Sequence, residues 1–289
     1  MERITGGRRF SKAAQMLQTR TRQAKASMTE TRYRFNDGAA YEQFMGVWSR
    51  LVGNEFLEWL APRRSLKWLD VGCGNGAFTE LIVERCAPTM VEGIDPSEAQ
   101  IAFARERFSA HTTTFYQGDA MALPFADGSF DAAVMALVIF FVPDPAKGVA
   151  EMARVTRAGG LVSAYAWDVA GAGLPAAPIL AEMKAMGLSP PQPPSAGAAR
   201  IETMRDLWRG AGLTEIETRE IAVQRTFSDF EEFWNISRLG PGIWPIISTL
   251  SSAEAQRLKN GVHARLPADS TGRITYGSRA NAIKGRVPI

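Results

Sequence analysis

Cysteine and histidine are scarce, with two of each in 289 residues: Cys73, Cys86, His111 and His263. Two cysteines exclude a disulfide framework, and four such residues scattered along the chain make no zinc-ligand spacing. A reducing compartment, the cytoplasm, is therefore expected, and no metal. Long apolar runs are also missing. The longest, around Val134 to Val142, has eleven residues when Ala132 and Ala133 are counted, whereas a spanning helix needs about 20, so no membrane span is expected. Acids are nearly absent from one region only. Residues 1–27 hold Arg3, Arg8, Arg9, Lys12, Arg20, Arg22 and Lys25 against the single acid Glu2, a net of +6; since the whole chain carries +3, residues 28–289 carry −3. The basicity belongs to the leader and not to the body, which disfavours nucleic acid as a partner.

The leader has no regular apolar face. It reads as a disordered segment, as an overlong gene start ahead of Met28, as an organelle transit peptide or as a basic nucleic-acid arm. Beyond it, 46% apolar and 22% charged residues with 26 Gly and 16 Pro describe an ordinary globular protein, expected to form one domain over 28–289.

From Lys67 onward, short β-rich runs alternate with helical stretches, the pattern of βαβ units around a mostly parallel sheet. Strands are expected near Lys67–Val71, Met90–Ile94, Thr113–Gln117, Ala132–Val138, Gly160–Trp167, Glu215–Gln224 and Ile274–Ile283. Helix starts are marked by capping-box spacings from Ser97 to Gln100, Ser228 to Glu231 and Ser251 to Glu254, and by Asp144 ahead of Pro145. Two segments fall outside the repeat. Ala170–Arg200, with Pro190, Pro191, Pro193 and Pro194, reads as a mobile crossing loop around one short helix. Phe227–Leu266 reads as a helical insertion carrying Phe230, Phe233, Trp234 and Trp244 around a Gly240-Pro241-Gly242 break.

The informative stretch is Trp68-Leu-Asp-Val-Gly-Cys-Gly-Asn-Gly-Ala-Phe78, a strand running into three alternate glycines and then a helix. Gly72, Gly74 and Gly76 suit a turn with positive φ on which a small molecule lies without a Cβ in the way. Gly72, Gly74 and Ala77 also satisfy a dinucleotide fingerprint, with Asp95 lying 23 residues past the first glycine, where an acid would meet a ribose. Asp70 separates the readings, because a carboxylate at the strand end suits a cationic amine better than a pyrophosphate. Gly118-Asp119-Ala120 follows the third strand, Phe130-Asp131 opens the fourth, and Arg157-Ala-Gly-Gly160 turns into the fifth.

With these motifs in this order, the chain resembles the class I S-adenosylmethionine-dependent methyltransferases, and within them the small-molecule group that includes the ubiquinone and menaquinone C-methyltransferases (the type 11 domain). The resemblance covers Tyr41 to Trp167 closely and Ile274 to Lys284 more loosely. It implies an α/β, doubly wound, Rossmann-like sheet of seven mostly parallel strands with a reversed last strand. The cofactor-binding core would be 66–168 and the helical insertion, a lid, 227–266. The implied cofactor is S-adenosyl-L-methionine. Asp70 and the turn Gly72, Cys73, Gly74 and Gly76 would hold its methionine end, and Asp95 the ribose hydroxyls. Pro96 and Ser97 would flank the adenine, Asp119 and Ala120 would contact its amino group, and Ala136 and Leu137 would line the sulfonium side. In the helix resembling the one that closes over the cofactor, Arg50 would pair with the methionine carboxylate, and Tyr41 or Met45 would approach the methyl group.

Each of these residues also has a plainer reading. Asp70 suits a strand-end turn, Asp95 a helix cap, Asp119 a loop acid, Arg50 an exposed helix face and Cys73 mere filling of the turn. Histidines that several relatives carry after the fourth strand are replaced here by Ile139-Phe140-Phe141-Val142, so no histidine base is expected there and the catalytic residues are unknown. His111 reads as a surface residue. His263 would reach the site only if the insertion folds over it. Phe140, Phe141, Trp167, Trp234 and Trp244 are candidates for an apolar acceptor pocket, each with core packing as the alternative. The expected activity is methyl transfer to a small, partly apolar acceptor. A catalytically silent S-adenosylmethionine-binding module and an NAD-dependent oxidoreductase are the rivals. Acceptor identity and oligomeric state are not legible.

Overall fold

In the computed structural model the described residues are 42–108, 112–190, 192–240 and 242–289. The leader over 1–27, Tyr41, His111, Pro191 and Pro241 lie outside them. A short π-helical turn, Glu42–Gly46, leads into α1 (Val47–Leu60). Then come β1 (Lys67–Val71), α2 (Ala77–Cys86), β2 (Met90–Asp95), α3 (Glu98–Arg107), β3 (Thr113–Gln117), β4 (Phe130–Ala136), α4 (Pro145–Val155) and β5 (Thr156–Trp167). The second half adds α5 (Ala177–Ala185), α6 (Ile201–Gly210), β6 (Thr214–Phe227), α7 (Phe230–Ser237), α8 (Trp244–Ile247), α9 (Ser252–Ala264) and β7 (Ile274–Arg286).

The seven strands form one sheet in the order β3-β2-β1-β4-β5-β7-β6. β1 to β5 pair in parallel, and β7 runs antiparallel to both β5 and β6. Helices cover the central strands on both faces, so β1 buries Trp68, Leu69, Asp70 and Val71 in succession, as parallel strands do. The order reverses between β1 and β4, and the crevice beyond their carboxyl ends is where open α/β sheets bind ligands.

Several boundaries differ from expectation for identifiable reasons. β4 stops at Ala136 rather than Val138 because Leu137 adopts a left-handed conformation at φ 62°. The apolar run 134–142 is thereby split between a strand end and a 3-10 turn, Ile139–Phe141. Residues 170–200 are more ordered than a crossing loop. They contain α5 and a 3-10 turn, Ala196–Ala199, and bury Ile179, Met183, Ala198 and Ala199. Ser195 ties them to the turn after β4, its amide donating to the Phe140 carbonyl at 3.0 Å and its hydroxyl to that of Val142 at 2.8 Å. The caps at Ser97, Asp144 and Ser251 form as the spacing suggests. The cap of α7, however, is Asp229, and Glu232, not Glu231, reaches back to Ser228.

The insertion α7–α9 leaves from the carboxyl end of β6 and returns into β7. Its inner side joins the core through Trp48, Phe227, Phe233 and Tyr276, whose rings meet at centroid distances of 5.2–6.4 Å. α5 packs on α9, where Gly261 leaves room for Glu182 to pair with Arg265 at 2.8 Å. The two segments outside the βαβ repeat thus meet each other.

Candidate cofactor and acceptor site

At the end of β1 the backbone turns through Gly72, Gly74 and Gly76 at φ 78°, 52° and 81°. The amides of Gly72 and Cys73 both donate to the Ile94 carbonyl, at 2.7 and 3.1 Å, which fixes the turn against the end of β2. A Cβ on Gly72 would lie 2.5 Å from both methyls of Val138, while one on Gly74 would meet nothing within 4 Å. The first glycine is required by packing against the segment after β4; the second opens onto free space.

Asp70, two residues before the turn, is wholly buried. Thr79 in the first turn of α2 donates its hydroxyl to Oδ2 at 2.7 Å, and Oδ1 has no partner among the described residues. Burial pushes the Asp70 carboxyl up to about 7, against the lowering effect of the Thr79 hydrogen bond and with a smaller upward push from Asp95. A buried acceptor without a donor is expensive, so this oxygen points to a missing donor or cation.

Asp95, the last residue of β2, accepts from the Gly74 amide through Oδ2 at 3.0 Å and from the Ser97 amide through Oδ1 at 2.9 Å. Burial raises its pKa against those two bonds. Each carboxylate oxygen has two lone pairs, so two acceptor positions remain. Pro96 accepts from Gln117 through its carbonyl, and Ser97 caps α3. The Gly118 amide donates to the Asp95 carbonyl at 3.0 Å and brings the β3 end beside β2. Asp119 there is exposed, with Oδ1 holding the Met121 amide at 2.8 Å, and Ala120 is half-buried. Across the switch point, Ala136 is half-buried and Leu137 is buried, its amide donating to the Tyr165 carbonyl at 2.8 Å. Asp70, the glycine turn, Asp95 to Ser97, Asp119, Ala120, Ala136 and Leu137 therefore all lie at the carboxyl ends of β1 to β4. Cys73 turns its side chain away, into a small apolar cluster with Ile101, Ala104 and Phe115. Burial pushes its thiol well up, and the thiol donates to the Gly74 carbonyl at 3.8 Å.

Other expected residues are placed differently. Arg50 is engaged elsewhere: its guanidinium pairs with Glu80 at 3.0 Å and Glu84 at 2.9 Å, two carboxylates four residues apart on α2, rather than standing ready for a cofactor carboxylate. Met45 is buried in the main core. Phe140 and Phe141 occupy the turn after β4 with rings 4.5 Å apart, the first buried and the second half-buried. Trp167 is buried at the end of β5, and its indole N–H lacks an acceptor among the described residues. Trp234 packs inside the insertion against Phe230. Trp244 is 44% exposed, with the Arg238 guanidinium 5.1 Å over its ring. The two insertion tryptophans thus have unlike settings, one internal and one facing outward.

His263 stacks on Phe230 at 4.1 Å beside a cleft of about 450 Å³ that Lys259, Asn260 and Asp229 also line. Among the described residues no group of three or more His, Cys, Asp or Glu is placed to hold a metal ion, and no helix is long and apolar enough to cross a membrane. The residues that sequence reasoning missed are Thr79, which grips Asp70, and Val138, which enforces Gly72. The only signal for Thr79 is a hydroxyl in the first turn of the helix behind the glycines.

A family model described as a methyltransferase domain matches residues 69–164, from β1 to β5. Demethylmenaquinone methyltransferase of Staphylococcus aureus (strain JH9) is 36% identical over 131 residues, which are 45% of this chain and 52% of that enzyme. The 2-methyl-6-phytyl-1,4-hydroquinone methyltransferase 2 of Oryza sativa subsp. japonica is 42% identical over 98 residues, 34% of this chain and 28% of that enzyme. The chain thus spans about half, or less, of the length of these curated relatives. Among solved structures, Haemonchus contortus phosphoethanolamine N-methyltransferase 2, in complex with phosphomonomethylethanolamine and S-adenosylhomocysteine, superposes with a TM-score of 0.55 at 19% identity, over 86% of this chain and 56% of its own. Residues 69–164 match a methyltransferase domain, and the sheet that carries them has the fold of the methyltransferase structure to which it is similar.

Proposed function

We propose that the chain binds S-adenosylmethionine at the switch point and transfers its methyl group to a small, partly apolar acceptor of the hydroquinone class. The observation that carries the reading is the buried Asp70 carboxylate two residues ahead of the glycine turn, one oxygen held by Thr79 and the other without a partner among the described residues. Such an oxygen matches an ammonium group and would repel the pyrophosphate of a dinucleotide. Asp95 keeps acceptor positions for a ribose diol while it holds the turn. Pro96 and Ser97 would border the adenine, and Asp119 and Ala120 would meet its amino edge. When bound, the cofactor supplies a methyl group already activated on a sulfonium, so the protein's part is to place the acceptor in line and exclude water. Ala136, Leu137, Phe140 and Phe141 are apolar and would do this next to the reacting atoms. The acceptor class is supported by the names of the two relatives above.

Transfer of a labelled methyl group from S-adenosylmethionine to a demethylated hydroquinone tests the reading, and binding without transfer to any acceptor would favour the silent module. Asp95→Ala should weaken S-adenosylhomocysteine binding about 10- to 150-fold, the loss of charge-assisted hydrogen bonds. A folded variant with ordinary affinity would contradict the role given to Asp95.

The lid is proposed to be α7–α9 together with α5. Trp244→Ala, at an exposed position, should leave stability within about 0.5 kcal/mol, so a raised KM for the acceptor at unchanged cofactor affinity would register the lid. An unchanged KM would remove Trp244 from it. Trimming residues 1–27 should alter neither quantity.

A further inference from the structure

We propose that Thr79 is a positioning residue for the cofactor's amino group, acting through Asp70: it holds one carboxylate oxygen so that the other stays aimed at the ammonium and the carboxylate stays ionised. The inference rests on the methyltransferase reading and adds a residue and a pH dependence to it.

The geometry has two parts. Thr79 is itself fully buried, at the third position of α2, and its only described partner is Asp70 Oδ2 at 2.7 Å. The helix that follows the glycine turn thus supplies a neutral donor to the strand-end acid, and the turn between them supplies nothing to Oδ1. The groups around Asp70 offer no substitute. Asp95 from β2 pushes the Asp70 carboxyl further up, and Asp70 in turn pushes up the Cys73 thiol of the turn. Its strand neighbours are Gly93 on β2 and Val134 on β4, neither of which titrates. The hydroxyl of Thr79 is the one hydrogen bond that works against the burial of this carboxylate.

A consequence is a pH window for binding. Affinity for a ligand with an α-ammonium should fall as pH drops through the Asp70 titration near 7, and fall again at alkaline pH as the ligand's own amine, kept by its neighbouring carboxylate above the value of about 8 for a peptide α-amine, loses its proton. The acid limb belongs to the protein and the alkaline limb to the ligand.

Calorimetric titration of the full chain with S-adenosylhomocysteine between about pH 5.5 and 10.5 separates them. Thr79→Val should displace the acid limb upward by about one pH unit and weaken binding about tenfold at pH 7, leaving the alkaline limb in place. Thr79→Ser should restore both. Asp70→Asn should abolish the acid limb, and it serves as the test if the valine variant does not fold. A Thr79→Val protein with an unmoved acid limb, or an Asp70→Asn protein that keeps it, overturns the proposal. Wild-type protein that binds no S-adenosylhomocysteine at any pH overturns the methyltransferase reading itself.

Discussion

Asp70→Asn is expected to make the ligand-free protein more stable at pH 8 while costing it the cofactor. The carboxyl titrates at 3.8 when exposed and at about 7 in the fold, so between these values the native state holds a proton that the unfolded chain has released. Stability therefore falls as pH rises through this window, and above 7 the full penalty of a buried, half-partnered charge is present. That penalty is roughly 4 kcal/mol, of which a buried asparagine would return about 1–3 kcal/mol through its own unmatched amide hydrogens. A net gain of about 1–3 kcal/mol at pH 8, gone by pH 5, should be visible in urea or thermal unfolding at the two pH values. Cofactor affinity should drop at least about tenfold. A variant destabilised equally at both pH values would show that Asp70 is a structural carboxylate with no charge to lose. The arrangement is what a binding site maintained at the expense of fold stability should show.

The second large effect is at Gly72. An alanine there must take a left-handed conformation, worth about 1–2 kcal/mol, and force its methyl against Val138, for which overpacking costs about 1–3 kcal/mol. Gly72→Ala should thus lose about 2–5 kcal/mol. Adding Val138→Ala removes the collision but leaves the backbone strain, so the pair should be non-additive by about 1–2 kcal/mol in a double-mutant cycle. Strict additivity would mean that the β1 turn and the segment after β4 are not in contact. That contact has functional weight, because it joins the turn proposed for the cofactor to the turn that presents Phe140 and Phe141.

What could be seen in the sequence was local. Alternate glycines after an apolar strand, an acid closing the next strand and a capping residue after that acid are dictated by neighbours in the chain, and each stands where expected at the sheet's carboxyl ends. What escaped notice depended on distant partners. Nothing in a run of β-rich residues announces that Leu137 will turn left-handed and end β4. Arg50 looked free because Glu80 and Glu84 are 30 and more residues away and align only once α2 forms. The prolines of 190–194 suggested a loose crossing, while the apolar residues on either side found places in the core. Ser228 and Asp229 are adjacent cap formers, and only the strand's actual end at Phe227 decides between them.

The most direct measurement is a calorimetric titration of the full chain near neutral pH with S-adenosylhomocysteine and, separately, with NAD. The expected result is one saturable site for the sulfur compound, at about micromolar Kd, and no heat from NAD. Heat from NAD with none from S-adenosylhomocysteine would contradict the account at its centre.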